Sequence, residues 1–316
     1  EHGSAAVSPM LIPTLSHVLI ALAMPVLLPG LVNRTKSLWA GRKGPGLLQP
    51  LWDLLRLLHK RPVYSAVTTP LFRAGPWVVL AGSVLAAMIA PILGQLAPLQ
   101  FSHDFIFFAY TLGLARLFLM LSALDVGSSF EGMGAAREAS FTSYIEPALF
   151  LLIGSALIAG GGSSFAELIG GLQRSDAFVW LALPAVLVLF VLLQAEAARV
   201  PVDDPLTHLE LTMIHEVMIL DHSGPELAVM QYAAGLKMTI YAGLIAALLN
   251  PFDVATAPLA AVPAALLIMA LVAVAVGCVE SLTARLRMRL VPRYLMLASL
   301  LAALCLGSAG WLVRSL

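Results

Sequence analysis

The chain has 316 residues, 60% of them hydrophobic and only 11% charged, with a mean hydropathy of +0.92; soluble globular domains carry roughly a quarter charged residues, which excludes an ordinary soluble domain. Its 18 basic and 18 acidic residues cancel, so no overall field favours nucleic acid or an acidic substrate. The two cysteines, Cys278 and Cys305, stand singly in apolar stretches without CxxC or Cys/His spacing, so they are not expected to bind a cluster or a structural zinc.

The first apolar stretch runs over 13–32, longer than a signal-peptide core and without a small-residue cleavage site after it, so no cleavable signal peptide is expected. The opening Glu1-His2-Gly3-Ser4 is set aside. Segment 47–60 comes next, too short to span a bilayer; Asp53, Arg56 and Lys60 recur in it at helical spacing, which predicts an amphipathic helix at the cytoplasmic interface. Gly44-Pro45-Gly46 forms the turn before it. A transmembrane helix needs about 20 mostly apolar residues, and further stretches of that kind lie near 76–97, 104–124, 141–160, 177–195, 226–249, 258–279 and 293–313. The expected fold is all-α: a polytopic membrane protein with about eight transmembrane helices and a cytoplasmic amphipathic helix, in a single transmembrane helical domain over 1–316. No internal repeat of the kind that marks inverted-repeat transporters stands out.

The connections divide by charge. The first loop holds Arg34, Lys36, Arg42, Lys43, Arg56, Lys60, Arg61 and Arg73; the third adds Arg137, the fifth Arg199, and the seventh Arg285, Arg287, Arg289 and Arg293. The even loops hold Arg174 alone. By the positive-inside rule the odd loops are cytoplasmic and both termini lie outside, as an even number of spans requires. The expected location is the cell inner (cytoplasmic) membrane, in contact with membrane lipid.

The fifth loop, Glu196 to Glu226, concentrates ionisable residues: Glu196, Asp203, Asp204, Glu210, Glu216, Asp221 and Glu226, with His208, His215 and His222. Helical spacing would put His208, Leu211, Thr212 and His215 on one face, and Thr212, His215 and Glu216 on one face. Three readings stand side by side. A solvated loop could contact a partner protein; a histidine and carboxylate face could pass protons, since burial brings carboxylates toward the neutral range where histidine titrates; or the face could hold a metal, although the spacing is not the HExxH of zinc hydrolases. The third loop contributes Glu131, Arg137, Glu138 and Glu146. Ionisable residues inside membranes are costly and usually face a partner or a water-filled cavity, which singles out Arg116, Glu146, Glu196 and Glu280; a helix-bundle salt bridge is the structural alternative for each.

Four ordered motifs carry a resemblance. Arg42-Lys-Gly-Pro-Gly-Leu-Leu-Gln-Pro-Leu-Trp-Asp-Leu-Leu-Arg-Leu-Leu58 resembles the first cytoplasmic loop of the ND1-like membrane subunits of respiratory complex I, with pattern GPxGxLQPLADGxKLL. Segment 134–149, GAAREASFTSYIEPAL, is similar to that family's GALRSAAQMVSYE at Gly134, Arg137 and Glu146, and its wording is nearer to membrane-bound nickel-iron hydrogenases, including the formate hydrogenlyase membrane subunit. Glu196-Ala-Ala-Arg199-Val-Pro201-Val-Asp203 matches ExxRxPxD, Glu210 falls on a later family acid, and ESLTARLRMRLVPR at 280–293 also resembles the hydrogenase branch.

The resemblance implies a subunit that joins a peripheral electron-transfer arm, made of hydrogenase-like large and small subunits, to antiporter-like membrane subunits that move protons or sodium. It implies no cofactor in this chain: electrons would pass through iron-sulfur clusters of the partners, with or without a nickel-iron centre. Glu146, Glu196, Asp203 and Glu210 would relay protons or sense the redox state, with Arg137 and Arg199 setting their pKa values by proximity. Glu131, Glu138, Asp204, His208, His215, Glu216, Asp221 and Glu280 join them as candidate relay or coupling positions. Arg42, Gly44, Pro45, Gln49, Asp53 and Arg56 are the candidate docking floor for the arm. The chain departs from the family's PEAExE run, with Asp204-Pro-Leu-Thr-His208-Leu-Glu210 in its place, and from Glu-Tyr-Ser-Gly, with Asp221-His-Ser-Gly224. Those departures suit a hydrogenase-type complex without a bound quinone. A quinone-binding subunit of a complex I-type NADH or ferredoxin dehydrogenase, an autonomous secondary transporter and a purely structural anchor are the competing readings.

Overall fold

A computed structural model describes residues 8–204 and 213–315. Every regular element among them is helical: α1 (Ser8–Trp39), α2 (Gln49–Leu58), α3 (Pro70–Ile89), α4 (Asp104–Asp125), α5 (Ser129–Gly160), α6 (Phe165–Arg174), α7 (Phe178–Glu196), α8 (His215–Met218), α9 (Gly224–Leu249), α10 (Pro258–Leu282) and α11 (Val291–Ser315). Eight of these, α1, α3, α4, α5, α7, α9, α10 and α11, are long and apolar enough to cross a membrane. Helix is what such sequences must form in lipid, because a helix satisfies each backbone N–H and C=O within the segment. The outer surface agrees: Leu259, Val179, Trp180 and Trp311 are all at least 70% exposed, and apolar surface on that scale belongs against hydrocarbon. The chain is a multi-pass membrane protein.

α9 is the axis of the bundle, with every residue from Gly235 to Leu248 buried. It packs against α1, α3, α7 and α10, with α2 across its start. Gly235 permits a close approach of α1, since a Cβ there would overlap the Pro25 carbonyl. The odd-numbered connections meet at one end of the bundle, where Lys36 pairs with Glu280, Arg285 with Asp203, the Leu286 N–H donates to Pro201 O and the Val63 N–H to Ser223 Oγ. The even connections meet at the other, where Gln95, Gln173 and Asn250 are hydrogen-bonded neighbours.

The elements differ from the sequence reading in several places. The second span runs over Pro70–Ile89, not 76–97; Pro91 disfavours the helical conformation of Ala90, whose ψ is 127°. The fourth span begins at Ser129 rather than near 141. Glu131, Arg137 and Glu138 therefore stand on the first turns of α5 and not in a loop, because a polar helix start that leans on other protein needs no apolar pattern. α6, short and half apolar, had no counterpart in the reading; Ser164 caps it by accepting from the Glu167 N–H at 3.3 Å. The amphipathic segment is present as α2.

Candidate functional site: a charged axis through the bundle

Arg116, on α4, is buried among the spans, and three carboxylates from two other helices reach it. Its Nη2 pairs with Glu196 Oε1 at the end of α7, its Nη1 lies 3.0 Å from Glu146 Oε1 and its Nε 3.4 Å from Glu138 Oε1, both on α5. From α9, Lys237 Nζ stands 3.5 Å from Glu196 Oε2. Two cations thus face three carboxylates, so the set is one negative charge in excess when all are ionised and becomes neutral on taking up one proton. Glu196 is inside, with 3% of its side chain exposed, whereas Glu146 shows 48% on the flank of the bundle.

Helix α7 ends so as to turn the subsequent polar residues back into the protein. Ala198 adopts a left-handed φ of 51°, and the Arg199 N–H donates to Gln194 O at 2.8 Å, closing the last turn. Arg199 then faces Glu280 of α10 at 3.6 Å, and Lys36 of α1 reaches the same carboxylate at 2.9 Å. The expectation that Arg199 partners Glu196 is thereby corrected: Arg116 and Lys237 take that place, since the helix end points Arg199 toward α10. Lys237 is the member of this charged set that the sequence reading passed over. Its one signal was a lone cation in an otherwise apolar span.

Asp203 organises the loop beyond Arg199. Arg285 Nη2 pairs with its Oδ1 at 2.7 Å, and the N–H groups of Ile214 and His215 donate to its Oδ2 at 3.2 and 2.8 Å. Burial nonetheless pushes its carboxyl above the usual range, against the pull of Arg285. Asp204 donates its N–H to Asp203 Oδ1. Arg137 spans from α5 to the same loop, donating to Met213 O at 2.7 Å. α8 can sit this close because residue 134 is glycine: a Cβ there would overlap Val217 and lie 2.9 Å from Met218 Cγ.

His215 and Glu216 line a cleft of about 210 Å³ between α1, α2 and α9, together with Asp53, Arg199 and Asn33. Burial, with Asp203 adding to it, raises the Glu216 carboxyl to about 7. Burial and the neighbouring Lys237 lower His215 to about 3, while Glu196 acts in the opposite sense. His215 is therefore a neutral imidazole standing between the cleft and the Glu196–Lys237 pair.

Other candidates lie apart. Glu131 is buried and accepts from the Asp221 N–H at 3.2 Å. His222 stacks on Phe72 at 4.0 Å between ring centroids and stands 3.3 Å from Glu226, whose other oxygen accepts from Tyr64 at 2.7 Å. On α2, Asp53 accepts from Arg56 at 2.7 Å and from Gln49 at 3.1 Å; Arg42 and Pro45 are exposed beside it, and Gly44 O accepts from Arg34. His208, Glu210, Leu211 and Thr212 lie outside the described residues, so the predicted shared face is represented by His215 and Glu216 of the four-residue α8.

The NADH dehydrogenase family model matches residues 12–307. The chain is 33% identical over 248 residues to hydrogenase-4 component C of Escherichia coli K12, covering 77% of this chain and 76% of that one. Formate hydrogenlyase subunit 4 of the same organism is 28% identical over 309 residues, covering 92% and 98%. Among solved structures, a chain of the membrane-bound sulfane sulfur reductase, an archaeal respiratory membrane complex, shares the fold with a TM-score of 0.76 at 19% identity, over 93% of this chain and 98% of that one. With its eight spans and its charged axis, this chain belongs to the NADH dehydrogenase family, in the ND1-like form found in complex I.

Proposed function

We propose that the chain is the membrane anchor and coupling subunit of an energy-converting hydrogenase or related complex I-like assembly, linking electron transfer in a peripheral arm to proton or sodium translocation. One observation carries this reading: ionisable side chains run from the cleft at Glu216 and His215, through Lys237, Glu196 and Arg116, to Glu146 on the flank. A structural salt bridge needs two partners. Arg116, Glu138, Glu146, Glu196 and Lys237, from four helices, reach the bundle flank at Glu146 and lie within electrostatic reach of His215, which lines the cleft, and this extent supports a route for charge. The hydrogenase and formate hydrogenlyase relatives cover most of this chain, which supports that branch over the quinone-binding one. Iron-sulfur clusters, with or without nickel-iron, reside in the partners, and an antiporter-like subunit packs where Glu146 emerges.

The odd loops face the cytoplasm of the inner membrane and both termini lie outside, because the odd-loop end gathers nearly all the loop arginine and lysine. Cysteines placed beside Lys43 and Arg287 should resist an impermeant thiol reagent in intact cells and react in inverted vesicles. Reaction in intact cells at both positions would reverse the orientation.

Copurification tests the assembly. The tagged chain should bring down a large and a small hydrogenase-like subunit and at least one antiporter-like subunit, and purification as an active single chain would establish a transporter instead. α2 supplies the arm's footing, so Asp53→Lys combined with Arg56→Glu in the whole complex should reduce arm recovery severalfold at physiological salt. The Asp53–Arg56 pair is itself exposed and worth under about 1 kcal/mol, so normal chain levels with lost arm would locate the effect in docking. Full arm recovery in the double variant would remove α2 from the interface.

A further inference from the structure

Tyr241 lies one turn beyond Lys237 on α9 and is fully buried. Its hydroxyl has no hydrogen-bond partner among the described residues. Buried hydroxyls are rarely left so, and the cost of an unmade bond is about 1–3 kcal/mol. The same side chain forms one wall of a cavity of about 40 Å³ whose other walls include Gly113, Arg116, Ile145, Glu146 and Glu196. A site holds a water when it offers roughly 10–15 Å³ and two or more polar partners, and this one meets both conditions.

The charged axis gives such a water a task. Glu196 and Glu146 are joined through Arg116, each by its own hydrogen bond to the guanidinium. A guanidinium keeps its proton at any physiological pH, so it holds the two carboxylates in place and cannot pass a proton from one to the other. A water that donates to one carboxylate and accepts from the protonated form of the other can, with the phenol hydroxyl fixing its orientation. The proton leaves one carboxyl oxygen for the water as the water's own proton goes to the second carboxylate, and the water is regenerated.

We propose that Tyr241 is a positioning residue, whose hydroxyl anchors an ordered water between Glu196 and Glu146, and that this water completes the proton route past Arg116. The proposal rests on the coupling role put forward above. It does not depend on which subunit receives the proton.

The test uses the assembled complex with Tyr241→Phe, which removes the hydroxyl and keeps the ring. Cryo-electron microscopy at a resolution that shows waters should find density within hydrogen-bond reach of Tyr241 Oη and one of the two carboxylates in the native complex, and none there in the variant. Ion translocation per electron should fall severalfold in the variant, with subunit composition unchanged. No density in the native complex, density that persists in the variant, or translocation per electron unchanged in the variant would each overturn the proposal. Should Glu196→Gln translocate normally, the coupling reading itself fails, whatever the density at Tyr241 shows.

Discussion

Glu216 stands where burial and charge compete, and the outcome is measurable at a single residue. The desolvation of its carboxyl, reinforced by Asp203 and Asp204 and opposed by Arg199, holds it near 7 against an ordinary 4.5. In the window from about 4.5 to 7 the native state keeps a proton that the unfolded chain has released, so native stability falls as pH rises through that window and the whole loss is present above it. Glu216→Gln lacks the ionisation. Relative to the native chain it should gain on the order of 2 kcal/mol at pH 8, after allowance for partial exposure to the cleft, and little near pH 4.5. Melting of the purified complex at the two pH values measures this. An equal difference at both would show that Glu216 titrates normally. The acids themselves were legible in sequence as a dense loop, but their partners were not: Arg116 is 80 positions from Glu196 and Lys237 lies 41 further on, and helical periodicity carries no information across such distances.

Elements set those partners. The turn that ends α7 carries alanine at a left-handed φ of 51° where glycine is usual, a conformation that costs an L-residue about 1–2 kcal/mol. Ala198 also lines the cleft that holds His215 and Glu216. Ala198→Gly should remove most of the penalty, less the greater entropy glycine loses on folding, and raise the melting temperature by an amount equivalent to about 1 kcal/mol. A lowered melting temperature would mean that the alanine methyl packs in the cleft and outweighs the backbone term. Element existence was well marked in the sequence, since long apolar runs read as spans. Starts and stops were less so. The α5 start at Ser129 is held by protein contacts that replace lipid, so its acids break the apolar pattern without breaking the helix, and α6 buries one face on the bundle although it is too short to span.

At the scale of the whole molecule, one buried axis organises the bundle. α9 is wrapped by other spans, and the charged residues of α4, α5, α7 and α9 converge beside it. Removing one partner of a buried ion pair costs about 3–5 kcal/mol when the other charge is stranded, which is the reason the set contains more than one cation and more than one acid: loss of a single charge is shared. For Arg116 that redundancy covers the loss of Glu196, since two other carboxylates remain beside it. Glutamine keeps the shape of glutamate and one acceptor oxygen, Arg116 retains Glu138 and Glu146, and Lys237 loses the carboxylate it pairs with, so subunit composition is measured alongside translocation. The sequence showed the whole-molecule plan through its loop charges and four motifs; the convergence on Arg116 required the tertiary structure.

The most direct test is the ratio of ions translocated to electrons transferred, measured in proteoliposomes containing the assembled complex with Glu196→Gln. The account predicts a complex of normal subunit composition, in which electron transfer either continues with translocation lost or slows together with it. An assembled Glu196→Gln complex that translocates at the native ratio and rate would contradict it.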